Sequence, residues 1–268
     1  MDLKRYILFF LFLPGKIRRR IFGKYGFFLD IHQKKIKRLK NIYKGKRIFV
    51  IGNGPSLTIQ DLEKLQGEIT IASNKIYLCF PDTTWRPTIY CTEDSMAYKS
   101  HDDVNRHLSD HTVKMFARKP GMKTTDPNII FFDLSMEKFF KRKRPPKFGT
   151  NAVSTLYWGS TVTYTCIQLA YFMGAREIFL VGVDFFYDVY QHQKNGDSVF
   201  ISDGKKRNHF HPDYDKEGEK FYPPNIERHK LSFKAVLQFQ KESDLHVYNA
   251  TRGGCLELFE RVNLDKLF

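Results

Sequence analysis

Arg47-Ile48-Phe49-Val50-Ile51-Gly52-Asn53-Gly54-Pro55-Ser56-Leu57 is the stretch on which the fold of this chain turns. Residues 47–51 read as a buried strand, which runs directly into Gly52-Asn53-Gly54-Pro55-Ser56, a turn without bulky side chains. A helical pattern then opens at Thr58 and lasts to Leu65. A strand, a glycine-rich turn and a helix N-terminus together offer backbone N–H groups and a positive dipole end to an anion. Glycines allow a ligand close to the backbone, and the Ser56 hydroxyl adds a donor. The predicted ligand is the phosphate of a nucleotide or nucleotide-sugar. G-N-G-P-S-L matches neither G-x-G-x-x-G nor the Walker pattern, and the competing reading is a tight turn whose glycines serve geometry alone.

Outward from this turn, apolar runs at 69–73, 88–91, 113–117, 129–132, 178–183 and 245–249 read as further strands, most of them continuous rather than alternating. Continuous runs belong to strands buried on both faces. Helices are predicted at 58–65, 102–108, 161–173 and 226–242, so the fold class is α/β, a Rossmann-like doubly wound, mostly parallel sheet. Ligands in such sheets sit beyond the carboxyl ends of the strands, and the candidate site residues fall at such ends. Asn74 follows the second strand as a neutral group suited to a base or ribose edge. Glu93-Asp94 follow the third, where they could hold sugar hydroxyls, chelate Mg²⁺ or cap the next segment. Ser160, expected to cap the helix at 161–173, gives with Thr161 and Thr163 a second anion cradle or plain capping. Gly182 and Asp184 close the 178–183 strand, the Asp serving ribose, a metal, a substrate hydroxyl or simply a turn.

The net charge of +15 is unevenly placed. Residues 1–47 hold 15 Lys+Arg against Asp2 and Asp30, whereas the remainder carries 29 basic and 27 acidic residues. A nearly neutral body argues against nucleic acid as partner and for an appendage that meets an anionic surface. Two parts follow: a basic, apolar, membrane-associating extension at 1–46 and a nucleotide-sugar-binding domain at 47–268. Tyr6 to Leu13 is intensely apolar but eight residues long, too short to span a bilayer. Lys16, Arg18, Arg19 and Arg20 follow without a small-residue cleavage site, which is wrong for an export signal. With Ile17, Ile21, Phe22, Tyr25, Phe27 and Phe28 interleaved, residues 1–28 read as an interfacial segment on an anionic leaflet, against the alternative of a helix packed on the domain itself. The scattered Cys79, Cys91, Cys166 and Cys255 form no C-x-x-C pair, so a reducing cytoplasm is expected, with the protein peripheral on the inner face of the membrane. The sequon Asn249-Ala-Thr251 is set aside on the same grounds.

Asn208-His209-Phe210-His211-Pro212-Asp213 lies in a long polar segment, 188–224. Segments of that length in compact domains are commonly lids. H-x-H-x-D lacks a third ligand at recognisable spacing, so a general base at His209 or His211 is preferred to a metal site. His107 and His111, beside Asp103 and Asp110, read as a solvated face.

The G-N-G-P-S-L turn, Asn74 and the block Gly174-x-x-Glu177-Ile-Phe-Leu-x-Gly182-x-Asp184-Phe resemble the bacterial sialyltransferases of the family that includes the Campylobacter lipooligosaccharide enzymes. Cys91-Thr-Glu93-Asp94, Thr161-Val-Thr-Tyr164, Asn208-His-Phe and Tyr248-Asn-Ala-Thr-Arg-Gly-Gly254 are more similar still to the domain shared by motility-associated-factor flagellin glycosyltransferases and archaeal hydroxymethylpterin diphosphokinase-like proteins. The resemblance covers about 47–268. It implies a metal-independent, inverting transfer of a nonulosonic-acid-type sugar from a CMP-activated donor to a lipid-linked or lipopolysaccharide-type glycan. By carry-over, Gly52, Asn53, Gly54, Pro55, Ser56 and Asn74 would hold the CMP, and Ser160, Thr161, Thr163 and Asp184 would line the donor site. Tyr187 and Tyr190 would donate to the leaving phosphate, and a loop histidine would deprotonate the acceptor. No cofactor is expected. The sequence departs from the sialyltransferases at Glu93-Asp94, an acidic pair in place of a neutral one, which leaves the donor sugar open. The rival implied by the other relatives is pyrophosphoryl transfer from ATP with Mg²⁺ on Glu93, Asp94 and Asp184; a non-catalytic membrane scaffold is the third reading.

Overall fold

The computed structural model describes residues 13–94, 107–108, 111–136, 143–187 and 200–268. At its centre eight strands lie in the order β12-β11-β8-β1-β2-β3-β4-β5, every neighbouring pair parallel. These are β1 (Ile48–Ile51), β2 (Thr70–Ser73), β3 (Ile89–Thr92), β4 (Val113–Ala117), β5 (Ile129–Phe132), β8 (Glu177–Val181), β11 (His246–Asn249) and β12 (Glu260–Arg261). The pairs β6 (Leu134–Ser135) with β7 (Leu156–Tyr157) and β9 (Phe200–Ile201) with β10 (Lys220–Phe221) stand outside the sheet.

β1 shows why the apolar runs are continuous. Ile48 and Val50 point into one buried cluster, Phe49 and Ile51 into another on the opposite face. Period-two alternation with both faces covered needs an apolar residue at every position. The first cluster is roofed by α4 (Val162–Phe172) through Ile167, Leu169 and Ala170, and by α5 (Ile226–Lys241) through Phe233 and Val236. The second receives Leu57, Leu62 and Leu65 from around α3 (Ile59–Lys64), whose N-cap Thr58 accepts from Asp61 N at 3.1 Å. All seven expected strands form. β12 was not foreseen because Glu260 and Arg261 are both exposed and carry no apolar signal. The expected helix at 102–108 falls, but for His107 and Leu108, outside the described residues, and His107 stacks on Tyr77 with ring centroids 5.6 Å apart.

The chain moves outward from β1 through β2 to β5, then returns to build β8, β11 and β12 on the other side. The direction reverses between β1 and β8, and their carboxyl ends flank a crevice. Gln168 of α4 anchors the approach to it: its Oε1 accepts from Gly149 N and Tyr157 N, and its Nε2 donates to Tyr157 O and Tyr164 O. The sequon is ruled out as a glycan acceptor on structural grounds, since Asn249 is 1% exposed and donates through Nδ2 to Leu256 O at 2.7 Å.

From residue 15 the basic segment packs on the domain as α1 (Gly15–Lys24) and α2 (Ile31–Arg38). Arg19 makes a two-pronged bond to Asp133, 2.6 and 2.9 Å, immediately beyond β5. Asp30 caps α2 and pairs with Arg118, immediately beyond β4, at 2.9 Å. Lys16 donates to Leu134 O and Arg20 to Tyr157 OH. Three of the four bases expected to face lipid therefore hold the segment to its own domain. No helix of the described residues is long and apolar enough to cross a membrane. Removing the guanidinium in Arg19→Met takes away the two-pronged bond to the buried Asp133 carboxylate and leaves Arg118 3.7 Å from it. Urea denaturation should then show a loss on the order of 2 kcal/mol; a change within error would mean that this pair does not hold α1.

Candidate functional site

The tips of β1 and β8 touch. Gly52 N donates to Val181 O at 2.8 Å and Gly54 N to Gly182 O at 2.9 Å. A Cβ on Gly52 would sit 2.2 Å from Gly182 O, and Gly182 itself holds φ +67°, so both positions exclude side chains. Asp184 locks the approach: its carboxylate accepts from the Ser56 hydroxyl at 2.9 Å and from Ser56 N at 3.3 Å. A Cβ on Gly54 would fall 1.9 Å from Asp184 Oδ2. Burial raises the Asp184 carboxyl above the ordinary range, opposed by the two Ser56 bonds.

The turn expected to cradle a phosphate is bonded largely within the protein. The amides of Gly52, Gly54, Ser56 and Leu57 and the Ser56 hydroxyl are all bonded within the protein. Pro55 and Ser56 stand outside the pocket lining, while Gly52, Asn53, Gly54, Gly182 and Asp184 belong to it. At the start of α4 the pocket meets a helix N-terminus. Ser160 does not cap that helix: it holds φ +63°, and its carbonyl accepts from His229 Nε2 at 2.8 Å. Ser232 Oγ fixes the preceding Gly159 carbonyl at 2.5 Å. Thr161 takes the N-cap position with extended backbone and no side-chain cap bond. Thr161, Val162 and Thr163 line the pocket, bringing a helix N-terminus without a side-chain cap and two hydroxyls to it. No Lys or Arg among the described residues lines this pocket.

The opposite wall carries the polar selectors. Asn53 accepts from Phe210 N through its carbonyl at 3.0 Å and donates through Nδ2 to Ser73 O at 3.1 Å. Its Oδ1 is buried and has no partner among the described residues. Asn74, at φ +51°, accepts from Thr92 Oγ1 at 3.1 Å and from Tyr90 OH at 2.8 Å. His209 Nδ1 lies 2.6 Å from Asp215 Oδ2, and its ring stacks on Tyr214 with centroids 3.8 Å apart. With the carboxylate accepting, Nδ1 is the donor, and in the neutral ring Nε2 carries the lone pair.

The two loop histidines separate here. His209 lines the pocket; His211 does not, because its Nδ1 accepts from Asp213 N at 3.1 Å and caps the 3₁₀ turn Pro212–Asp215. Tyr187 lines the pocket, and Tyr190 lies outside the described residues. His229, which sequence reading missed, joins from α5. Burial lowers its pKa to about 4, so the ring is neutral and Nε2–H is the donor to Ser160. The only signal for it was a polar residue on the apolar face of the helix at 226–242.

Glu93 and Asp94 stay out of the pocket lining. Glu93 accepts from the Thr165 hydroxyl of α4, and burial pushes its carboxyl up to about 7. Asp94 N donates to Thr92 Oγ1 at 3.2 Å. The Mg²⁺ set expected under the diphosphokinase reading does not assemble: among the described residues no three His, Cys, Asp or Glu side chains gather as ligands, and Asp184 is clamped to Ser56.

With the site in place, the chain can be compared with known proteins. The sequence profile of the family described as 6-hydroxymethylpterin diphosphokinase MptE-like matches residues 27–189, more than half of the chain. The chain belongs to the MptE-like family. Comparison with curated protein sequences found no match. Among solved structures, the MAf glycosyltransferase from Magnetospirillum magneticum AMB-1 superposes with a TM-score of 0.53 at 14% identity over 88% of this chain. This chain spans 38% of the length of that one. The sialyltransferase CstII from Campylobacter jejuni, in complex with the substrate analogue CMP-3FNeuAc, gives a TM-score of 0.44 at 17% identity over 81% of this chain and 86% of that one. At such identities the MAf match establishes a common fold.

Two measurements test the geometry. Gly54→Ala should lower the melting temperature, because the new methyl displaces Asp184 from Ser56; melting equal to wild type would show that the turn is not closed this way. The Glu93 carboxyl is raised in the folded state, so the native protein holds its proton between the unfolded carboxylate pKa and about 7, and stability falls as pH rises through that window. Glu93→Gln should remove the fall, with a melting advantage over wild type that is larger at pH 8 than at pH 5; an advantage independent of pH would place the charge in solvent.

Proposed function

We propose that this MptE-like protein is a glycosyltransferase of cell-surface glycan assembly that takes a nonulosonic-acid-type sugar from a CMP-activated donor, with inversion. The observation that carries the reading is the pairing of an anion site with a base across the crevice between β1 and β8. On one side stand the α4 N-terminus and the hydroxyls of Thr161 and Thr163; on the other is His209, oriented by Asp215. The fold shared with a MAf glycosyltransferase supports it. The CMP-sugar analogue held by CstII supplies the donor class as an expectation for this chain.

In this reading the nucleotide phosphate rests at α4, where neutral donors and the helix dipole meet its charge as it leaves. Tyr187 adds a phenolic donor, Tyr190 a second, and Asn53 Oδ1 and Asn74 take the polar edges of the nucleoside. The acceptor hydroxyl attacks the anomeric carbon from the face opposite the phosphate. The carbon–oxygen bond to CMP breaks, and the hydroxyl proton passes to His209 Nε2. Residues 47–268 form the catalytic unit. The segment 1–46 associates with the anionic cytoplasmic face of the plasma membrane, which makes a lipid-linked or lipopolysaccharide-type glycan the acceptor.

The family description supports a second reading, pyrophosphoryl transfer from ATP to a hydroxymethylpterin, for which Mg²⁺ ligands would have to come from elsewhere than Glu93 and Asp94. Calorimetric titration separates the two: CMP should bind without metal and ATP–Mg²⁺ should not. His209→Asn should lower the rate of CMP release from CMP-sugars by on the order of 10²–10⁴ while CMP affinity holds, and His211→Asn should leave the rate near wild type. Equal losses in both variants, or binding of ATP–Mg²⁺ alone, would overturn the assignment.

A further inference from the structure

Four large apolar side chains stand exposed within the seven residues from Tyr25, just past α1, to Ile31, the first of α2: Tyr25 at 69%, Phe27 at 65%, Leu29 at 47% and Ile31 at 57%. Ile17 on α1 is exposed as well. The turn is built rather than loose. Phe27 N donates back to Phe22 O at 2.9 Å, the Phe22 and Phe27 rings meet edge to face at 6.3 Å, and Leu29 N donates to Gln33 Oε1 at 2.9 Å. Lys24 and Lys34, next to the turn in sequence, are exposed, and Lys37, Arg38 and Lys40 are exposed farther along and past α2. The one acid between residues 13 and 46, Asp30, is paired with Arg118. On α2 the spacing of Ile31, Lys34 and Arg38 puts an apolar residue and two cations on one side, while Gln33 and Ile36 face the domain.

We propose that the turn from Tyr25 to Ile31 inserts into an anionic lipid bilayer and holds the carboxyl rim of the sheet against the leaflet. Aromatic and aliphatic tips flanked in sequence by exposed Lys24 and Lys34 match the apolar boundary and the phosphate layer of such a surface. They match an acidic soluble partner less well, because that would leave four apolar side chains uncovered. The division of labour within the basic segment follows. Lys16, Arg19 and Arg20 bind the domain, and the turn and α2 bind lipid.

The consequence for the site is geometric. α1 and the start of α2 are fixed to Asp133 and Arg118, the first residues past β5 and β4. The pocket lies past β1, β2 and β8. All these strands are parallel, so the anchor and the pocket share one rim of the sheet, four strand spacings or roughly 20 Å apart between β1 and β5. A bilayer that receives the turn also runs beside the pocket, and the acceptor hydroxyl comes from a molecule embedded in that leaflet. This deepens the membrane partner and acceptor class of the proposed function; the insertion itself does not depend on the donor chemistry.

Flotation of the full chain with vesicles of phosphatidylcholine, with and without phosphatidylglycerol, tests it. Wild type should float with the anionic vesicles, and Phe27→Ser should weaken this on the order of tenfold. Tyr25→Ser combined with Phe27→Ser should weaken it further, with circular dichroism melting and soluble CMP release unchanged. Phe27→Trp, which keeps the bulk, should show quenching by bromolipids beyond that of wild type with its own Trp85 and Trp158. Flotation of the double variant equal to wild type, or no added quenching of Phe27→Trp, would overturn the proposal. So would a wild-type dimer that the double variant dissolves while flotation is unchanged, which would make a second copy the occupant. Loss of CMP release in every form, with flotation still following the turn, would overturn the transferase reading and leave this one standing.

Discussion

The close approach of two parallel strand tips governs this molecule. Where β1 and β8 diverge from the reversal point of the sheet, Gly52 and Gly182 pack backbone on backbone, and the Asp184 carboxylate ties the following turn through Ser56. Three positions there exclude a Cβ for steric reasons, so the crevice keeps its width only with this composition. The result differs from a phosphate loop that offers its amides to ligand. The turn bonds to itself and to β8, and serves as a rigid wall.

Across the crevice from that turn, the start of α4 forms the other wall. There the left-handed Ser160 turns the chain into α4, and His229 and Ser232 of α5 hold the Ser160 and Gly159 carbonyls in place. The helix therefore begins without a side-chain cap, leaving donors that face the pocket rather than a neighbouring side chain. Two histidines border the same space in opposite states of commitment. His229, buried and neutral, supports the backbone; His209 is tied to Asp215 through Nδ1 and lines the pocket. A site without lining cations among the described residues suits a leaving group that must be released after its charge has been met by dipoles.

The basic segment illustrates how composition and contact differ. Its bases form one class in the sequence but two in space. Arg19 lies against a buried carboxylate at the rim of the sheet and Lys35 donates to Pro127 O, whereas Lys34 and Lys37 of α2 are exposed. The excess positive charge thus helps hold the segment to its domain and also gives it an outward surface.

Much of the architecture was legible along the chain. Strands buried on both faces must be apolar at every position, so seven of the eight sheet strands were visible as runs, whereas the strand order and its reversal between β1 and β8 came only from the structure. Gly52, Asn53, Gly54, Asn74, Thr161, Thr163, Gly182, Asp184, Tyr187 and His209 were singled out because they follow strand ends or sit in a polar loop, and the fold gathers them around one pocket. Pro55, Ser56, Glu93, Asp94, Ser160 and His211 had the same local credentials and lie elsewhere. Local pattern shows that a hydroxyl or carboxyl is available but not which partner reaches it first: Asp184 takes Ser56, Thr165 takes Glu93 and Asp213 N takes His211. Those partners are distant in sequence in the first two cases, and His229 enters from a helix with no motif at all. A strand's burial is written in the strand itself, whereas the direction of a hydrogen bond is set by whatever the fold brings within 3 Å of it.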